Sequence, residues 1–398
     1  MQAETLTDLL MIVLQPLLGG ILASWPWAIK LIAMFLAVVI ILLFLIVMVM
    51  ILTYFERKVV ARIADRIGPN RVGPLGVLQP IADTVKLLIK EDTTPASADR
   101  WVFLLAPAVI VSTAVMAYAV IPFGHGLFGT DLNIAVLYVV AISSLTTIAI
   151  LMAGWSGRNK YALLGGMRAV AQMFSFEVPL VLAIVSAVLL AGSMSLVKIV
   201  EAQRGLWFIF LQPVGFFIYF LCGVAEANRS PFDIPEAESE LVAGYHIEYS
   251  GIKFAFFFLA EYINMFTVSS IAATLFLGGW RGPFVDQVPA LGVFYLLIKA
   301  YALIFVMIWF RGTFPRLRID QLMGLAWKFM LPLSLLNVMV TGLVDKLVDK
   351  NLGRALWGSA LLGGNLVLAA GVIAVVYLVA RQRQARGLAS QYKVYLEG

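Results

Sequence analysis

The run IKLIAMFLAVVIILLFLIVMVMILTY, residues 29–54, decides the fold. About 20 apolar residues suffice to cross a bilayer as a helix, and this run exceeds that before the charged FERK at 55–58 ends it. Backbone polar groups find no water in the hydrocarbon core, so the run must bond to itself as an α-helix. Eight more apolar runs follow at 102–122, 134–154, 169–191, 206–225, 253–277, 291–310, 328–345 and 356–380. The expected fold is therefore an all-α integral membrane protein, a bundle of about nine transmembrane helices.

Composition agrees. Of 398 residues, 62% are hydrophobic and 13% charged, and the mean hydropathy is +0.94. A water-soluble domain cannot hide that much apolar surface, so residues 1–398 read as a single polytopic membrane domain. The net charge of +6 reports orienting Lys and Arg, not a nucleic-acid partner. Cys222 can neither close an internal disulfide nor hold an iron–sulfur cluster unaided. His125 and His246 match no metal spacing, so no metal site is expected. No nucleotide-binding glycine motif is present. The polar, acidic start before Ala28 does not resemble a cleaved signal peptide.

Positive residues fix the orientation. With the N-terminus outside, the inside segments are 55–101, 155–168, 226–252, 311–327 and 381–398. The first holds Arg57, Lys58, Arg62, Arg66, Arg71, Lys86, Lys90 and Arg100, and the last places the C-terminus in the cytoplasm. The outside loop 122–133 has neither Lys nor Arg, so the positive-inside rule is satisfied. Segment 55–101 is expected to be a structured loop. Within it, Leu78, Ile81, Ala82, Val85 and Leu88 share one helical face and Gln79, Asp83, Lys86 and Lys90 the other, predicting an interfacial amphipathic helix over 75–90. The run Leu6 to Leu18 is a further short surface-lying or partly inserted helix.

Against this pattern, AEANRSPFDIPEAESELVAGYHIE at 225–248 is an inside loop that is acidic. It carries Glu226, Asp233, Glu236, Glu238, Glu240 and Glu248, with Arg229 as its basic residue. Pro231 and Pro235 prevent one continuous helix. If 236–248 is helical, Glu236 and Glu240 share a face and titrate as a coupled set. A solvated patch that docks a basic partner is the plainer reading of such a loop. Three charged residues also fall well inside predicted spans, away from their ends: Glu177, Glu261 and Lys299. A charge at bilayer depth costs about 2.5–3.5 kcal/mol on insertion scales. A carboxyl taken out of water holds its proton more tightly, as a proton relay requires. Structural pairing, with Lys299 as partner of one Glu, is the alternative. Together with the acidic loop, the carboxylates favour a relay.

Four blocks carry a family resemblance: ERKVVARIADRIGPNRVGPLG and its continuation to residue 92, GWSGRNKYALLGGMRAVAQMFSFEVP at 154–179, the acidic stretch continued to residue 262, and RGTFPRLRIDQLMGLAWKFMLPL at 311–333. The chain resembles the family of H subunits of NADH-quinone oxidoreductase, respiratory complex I. The resemblance implies eight family-typical spans plus one C-terminal span, with an extra span and basic tail over 346–398. It implies a place where the peripheral and membrane arms join, helping to enclose a tunnel for ubiquinone or another quinone. Arg57, Asp83 and Phe258 match tunnel positions. Glu226, Asp233, Glu236, Glu238, Glu240, Glu248 and Glu261 match the family's acidic path, and Glu177 its continuation. Quinone is then the substrate, and FMN and iron–sulfur clusters are expected in partner subunits. Those partners would be the quinone-site and iron–sulfur subunits of the peripheral arm and the small and antiporter-like subunits of the membrane arm. The implied location is an energy-conserving membrane, the bacterial inner or plasma membrane. The runner-up is the equivalent anchor subunit of a membrane-bound hydrogenase. A stand-alone transporter is disfavoured, since no inverted repeat is visible.

Overall fold

A computed structural model describes residues 5–18, 26–124, 126–234, 243–285, 287–348 and 354–397. These residues are helical, joined by turns and short 3-10 segments. In chain order the helices are α1 (Leu6–Leu18), α2 (Pro26–Ile63), α3 (Gln79–Ile89), α4 (Arg100–Met116), α5 (Ala135–Ser156), α6 (Lys160–Ala191), α7 (Leu196–Ala202), α8 (Phe208–Leu211), α9 (Pro213–Glu226), α10 (Gly251–Phe276), α11 (Leu291–Thr313), α12 (Ile319–Leu325), α13 (Leu331–Leu347) and α14 (Arg354–Glu397).

Among the described residues, eight helical stretches are long and apolar enough to cross a membrane. The difference from nine lies at 206–225. That run is two helices, because Gln212 takes φ −134° and ψ 64° between α8 and α9. Pro213 follows it, and proline forces the preceding residue out of the helical region. The Gln212 side chain occupies the break: Oε1 accepts from Ser186 Oγ at 2.8 Å, and Nε2 donates to Ser186 O at 3.0 Å. At 1.5 Å per residue, α9 is only about 21 Å long. The first span departs in the other direction. Its 38 residues give about 57 Å, so α2 continues well past a hydrocarbon core of about 30 Å.

The helices pack as a bundle whose core joins Leu45 and Leu52 of α2 to Phe103, Phe176, Ile218, Phe266 and Ile304. Small residues set the closest crossings. A Cβ on Gly154 would stand 2.8 Å from Ala162 O, and one on Gly165 would stand 2.7 Å from Gly244 Cα. These contacts press α5, α6 and the turn at 244–246 together and fix the floor of the acidic loop. Outward-facing Phe35, Leu43, Phe174 and Phe294 are exposed in the chain, as a lipid-facing surface should be.

The amphipathic helix is α3. Leu78, which precedes it, and Ile81, Val85 and Leu88 are exposed, so no described part of the chain covers its apolar face. Pro80 sits in its first turn, where a missing N–H costs nothing. The span around 328–345 is entered through α12 and a π-helical turn, Ala326–Met330. Pro332 stands in the first turn of α13, and the π turn carries the chain past its missing donor. Helix α1 lies on α2, its Leu6 N–H bonded to Phe128 O at 3.0 Å.

Candidate functional site

Four charged side chains from separate parts of the chain meet at one end of the bundle. Glu56 comes from α2, Arg229 from the turn after α9, Glu261 from α10 and Arg311 from α11. Arg229 Nη1 donates to Glu56 Oε1 at 3.0 Å and Oε2 at 3.2 Å. Arg229 Nε lies 3.1 Å from Glu261 Oε1, and its guanidinium stands 4.4 Å over the Tyr262 ring. Arg311 also donates to Glu56. Glu56 and Arg229 are 4% and 5% exposed. Charges this deep persist only when paired and hydrogen-bonded, and here two carboxylates meet two guanidinium groups.

Asp233 sits at the edge of this cluster, bonded by Arg316 at 3.0 Å. Burial raises its pKa above the usual carboxylate value; the opposing pulls of Arg316, Arg311 and Arg229 do not cancel that rise. Its Oδ1, buried with no hydrogen-bond partner, favours the same direction, because an unsatisfied carboxylate oxygen in a dry site disfavours the charged form.

Beside the cluster opens a chamber of about 490 Å³, lined by Glu56, Arg57, Ile67, Phe258, Tyr262 and Arg311 among others. Its size falls within that of small-molecule sites. Of the residues expected in the tunnel, Arg57 and Phe258 line this chamber. Asp83 acts one step back: it binds Arg57 at 2.5 Å and accepts from Gln79 Nε2 at 3.1 Å. Partial burial pushes the Asp83 carboxyl up, yet the bonds from Arg57 and Gln79 and the nearby positive charge outweigh it, so its pKa lies below the usual value. Asp83 thus carries its negative charge at neutral pH.

On the bundle side of the cluster lie two internal cavities. One of about 20 Å³ is lined by Glu226, Glu261, Thr146, Asn228, Tyr245 and Asn264. The other, of about 50 Å³, is lined by Glu226, Asn264, Ser143, Thr146, Thr113 and Thr267 among others. A water needs roughly 10–15 Å³ and two to four polar neighbours. The smaller cavity therefore has room for about one water and the larger for a few. Glu226 belongs to both, and no ion pair to it occurs among the described residues. Glu177 lies within electrostatic range of Glu226 and accepts a hydrogen bond from Ser144 Oγ.

The expected site residues thus sort into groups. Glu261, Glu226 and Glu177 follow one another away from the chamber. Asp233 borders the cluster. Glu248 lines none of these cavities; it accepts from Asn159 Nδ2 at 2.8 Å. Glu236, Glu238 and Glu240, with His125, lie outside the described residues. Among the described residues, Lys299 pairs with no carboxylate. Its ammonium donates to Leu277 O, Gly279 O and Arg281 O at 2.7, 2.9 and 2.7 Å and lies 4.5 Å over the Trp207 ring. The ammonium thus satisfies the carbonyl of Leu277, which caps the C-terminal end of α10, and two carbonyls of the turn that follows it.

The sequence reading did not single out Glu56, Arg311, Tyr262 or Asn264. Glu56 had a usable signal: a carboxylate opening the basic stretch that ends a span, where positive residues are expected. Tyr262 and Asn264 give no such signal, because an isolated polar residue in an apolar run is unremarkable until its neighbours are known.

A family model described as NADH dehydrogenase matches residues 36–342. Among similar proteins, the H subunit of the NADH-quinone oxidoreductase of Geobacillus kaustophilus (strain HTA426) is 53% identical over 291 residues, covering 73% of this chain and 87% of that one. The protein of the same name from Carboxydothermus hydrogenoformans is 52% identical over 318 residues, covering 80% and 90%. The one from Dehalococcoides mccartyi (strain CBDB1) is 49% identical over 323 residues, covering 81% and 88%.

Proposed function

The chain belongs to the NADH dehydrogenase family, its relatives being H subunits of NADH-quinone oxidoreductase, and from that premise we propose that it encloses the quinone chamber and couples quinone reduction to proton movement. It is a multi-pass component of a larger oxidoreductase complex and works with the other subunits of that complex. In this reading the cytoplasmic side is the one bearing the cluster and the chamber, with the N-terminus outside.

The quinone head enters the chamber of about 490 Å³. Phe258 offers it an apolar wall, and the Arg57–Asp83 pair holds a fixed dipole at its mouth. Electrons come from an iron–sulfur cluster of a partner subunit, since this chain offers no cysteine set to hold one. Reduction of a quinone to a quinol takes two electrons and two protons; protons drawn from side chains beside the chamber leave those groups more negative, which changes the charge balance beside Glu56 and Arg311.

Arg229 carries that change inward. It is shared between Glu56, which faces the chamber, and Glu261, which faces the inner cavity. When Glu56 gains or loses a proton, its share of Arg229 changes, and so does the proton affinity of Glu261. Glu261 and Glu226 line one cavity with room for a water, which can pass a proton between them. Glu226 then acts on Glu177 through space, toward the antiporter-like subunits. Asp233 borders the cluster that feeds this route, and Glu248 belongs to the same acidic stretch of sequence as Glu236, Glu238 and Glu240.

The observation that carries the reading is that Glu226 and Glu261 line one cavity while Glu261 shares a guanidinium with a chamber residue. The test is the intact complex in proteoliposomes. Glu226→Gln and Glu261→Gln are expected to assemble but to lose quinone-dependent proton pumping. Arg57→Ala and Asp83→Asn are expected to raise the apparent KM for quinone severalfold. Normal pumping in both carboxylate variants, or unchanged KM in both mouth variants, would contradict the corresponding half.

A further inference from the structure

A second opening lies on another face of α2. A groove of about 410 Å³ runs between α2 and α11, with Phe55, Ile63, Phe305 and Trp309 as its apolar walls and Lys58 and Arg62 at its rim. It shares no lining residue with the quinone chamber. Toward the charged end of α2 the two helices close on each other: a Cβ on Gly312 would stand 2.8 Å from Ile63 Cδ1. The groove opens sideways, where Phe305 and Trp309 remain 42% and 51% exposed. It lies where α2 passes from its apolar run into FERK, which is the depth of the bilayer interface.

Several cations near the rim are matched by carboxylates. Arg57 pairs with Asp83, Arg229 and Arg311 with Glu56, and Arg316 with Asp233. Lys58 and Arg62, one helical turn apart on the same face of α2, form no ion pair among the described residues. Lys58 rests 5.6 Å over the Tyr54 ring, and Arg62 is exposed. An apolar cleft open to the bilayer, topped by two unmatched cations at the interface and flanked by a tryptophan, has the chemistry of a lipid seat.

We propose that this groove binds an anionic phospholipid, with an acyl chain against Phe55, Phe305 and Trp309 and the phosphate at Lys58 and Arg62. A quinone head is uncharged and would gain little from two cations. A helix of another subunit is about 10 Å across and does not fit where Gly312 and Ile63 draw the walls together. The seat would hold the α2–α11 contact next to the chamber while leaving the chamber itself free.

The test is photolabelling of the intact complex in nanodiscs, using phosphatidylglycerol with a photoreactive acyl chain and the matching phosphatidylcholine. Phosphatidylglycerol is expected to label the segment containing Phe305 and Trp309 well above phosphatidylcholine. Lys58→Gln with Arg62→Gln should reduce that labelling about tenfold or more, since each interfacial cation strengthens anionic-lipid capture several-fold. Lys86→Gln with Lys90→Gln on α3 should leave it unchanged, which also controls for a general loss of surface charge. Equal labelling by the two lipids, labelling indifferent to the Lys58/Arg62 pair, or no labelling because another subunit covers the groove would each overturn the proposal.

Discussion

Arg229 bonds both oxygens of Glu56 with one nitrogen and faces Glu261 with another, so removing it takes the guanidinium from Glu261 and leaves Glu56 with Arg311. Breaking a buried pair by deleting one partner typically costs about 3–5 kcal/mol. We expect Arg229→Ala to reduce the fraction of complex surviving a heat step far below wild type. Arg229→Lys should rescue it only in part, because an ammonium cannot present the same fork to two acceptors. Survival equal to wild type in Arg229→Ala would show that the cluster is not the structural centre described above. His246 offers a pH signature. Burial among Tyr245, Phe254 and Phe258 pushes its imidazole down to about 4 from 6.5. The folded loop thus excludes a proton that the opened loop accepts, so local stability is intact above about 6.5 and falls as pH drops toward about 4. The loss amounts to about 3 kcal/mol at most. Hydrogen exchange over residues 243–250 should show more opening at pH 5 than at pH 7 after correction for chemical exchange, and His246→Gln should flatten the difference. Equal protection at both pH values would refute it. At this scale the sequence made Glu261, Asp233 and Arg57 legible, because a charge in an apolar run or a specific motif marks them. It could not say that Glu261 already has a counter-ion, since Arg229 is 32 residues away in the chain and only the fold brings them together.

Helix identity was read well from apolar run length, and α3 from its two-faced pattern. Breaks were read less well. The stretch 206–225 is apolar throughout its middle, so its hydropathy suggests a span, yet a single dipeptide, Gln212-Pro213, divides it. Proline in the sequence was the available sign, and apolar averaging concealed it. Lys299 shows the opposite case, a charge visible in the sequence whose purpose was not. It closes the C-terminal end of α10 through three carbonyls. Lys299→Met should leave those carbonyls unsatisfied and cost about 1–3 kcal/mol. The faster hydrogen exchange should be confined to about residues 273–281, with the chamber side of α10 unaffected. Uniform protection along α10 in the variant would contradict the capping role.

For the whole molecule, the membrane class and the neighbourhood of the acidic loop were legible, but the cavities were not, because empty space has no letter in a sequence. Thr113, Thr146, Ser143, Asn264 and Thr267 converge from three helices to line the space around Glu226, and each alone resembles an ordinary helix residue. The C-terminal span at 356–380 was legible from its apolar run, whereas the surface it packs on was not. Helix α14 lies beyond the part matched by the family model. It packs on the broken region, with Gly358 against Leu211 and Trp357 Nε1 donating to Asp345 at 3.0 Å. The proposed route from the chamber runs Glu56, Arg229, Glu261, Glu226, Glu177, none of them a residue of α14. That route stands or falls on whether its carboxyls change protonation when quinone is reduced. Redox-induced infrared difference spectra of the intact complex, in H₂O and D₂O, read this directly in the carboxyl C=O stretching region. The account predicts a deuterium-sensitive carboxyl band on quinone reduction that loses components in Glu226→Gln and in Glu261→Gln. A spectrum with no such band, or one unchanged in both variants, would contradict it.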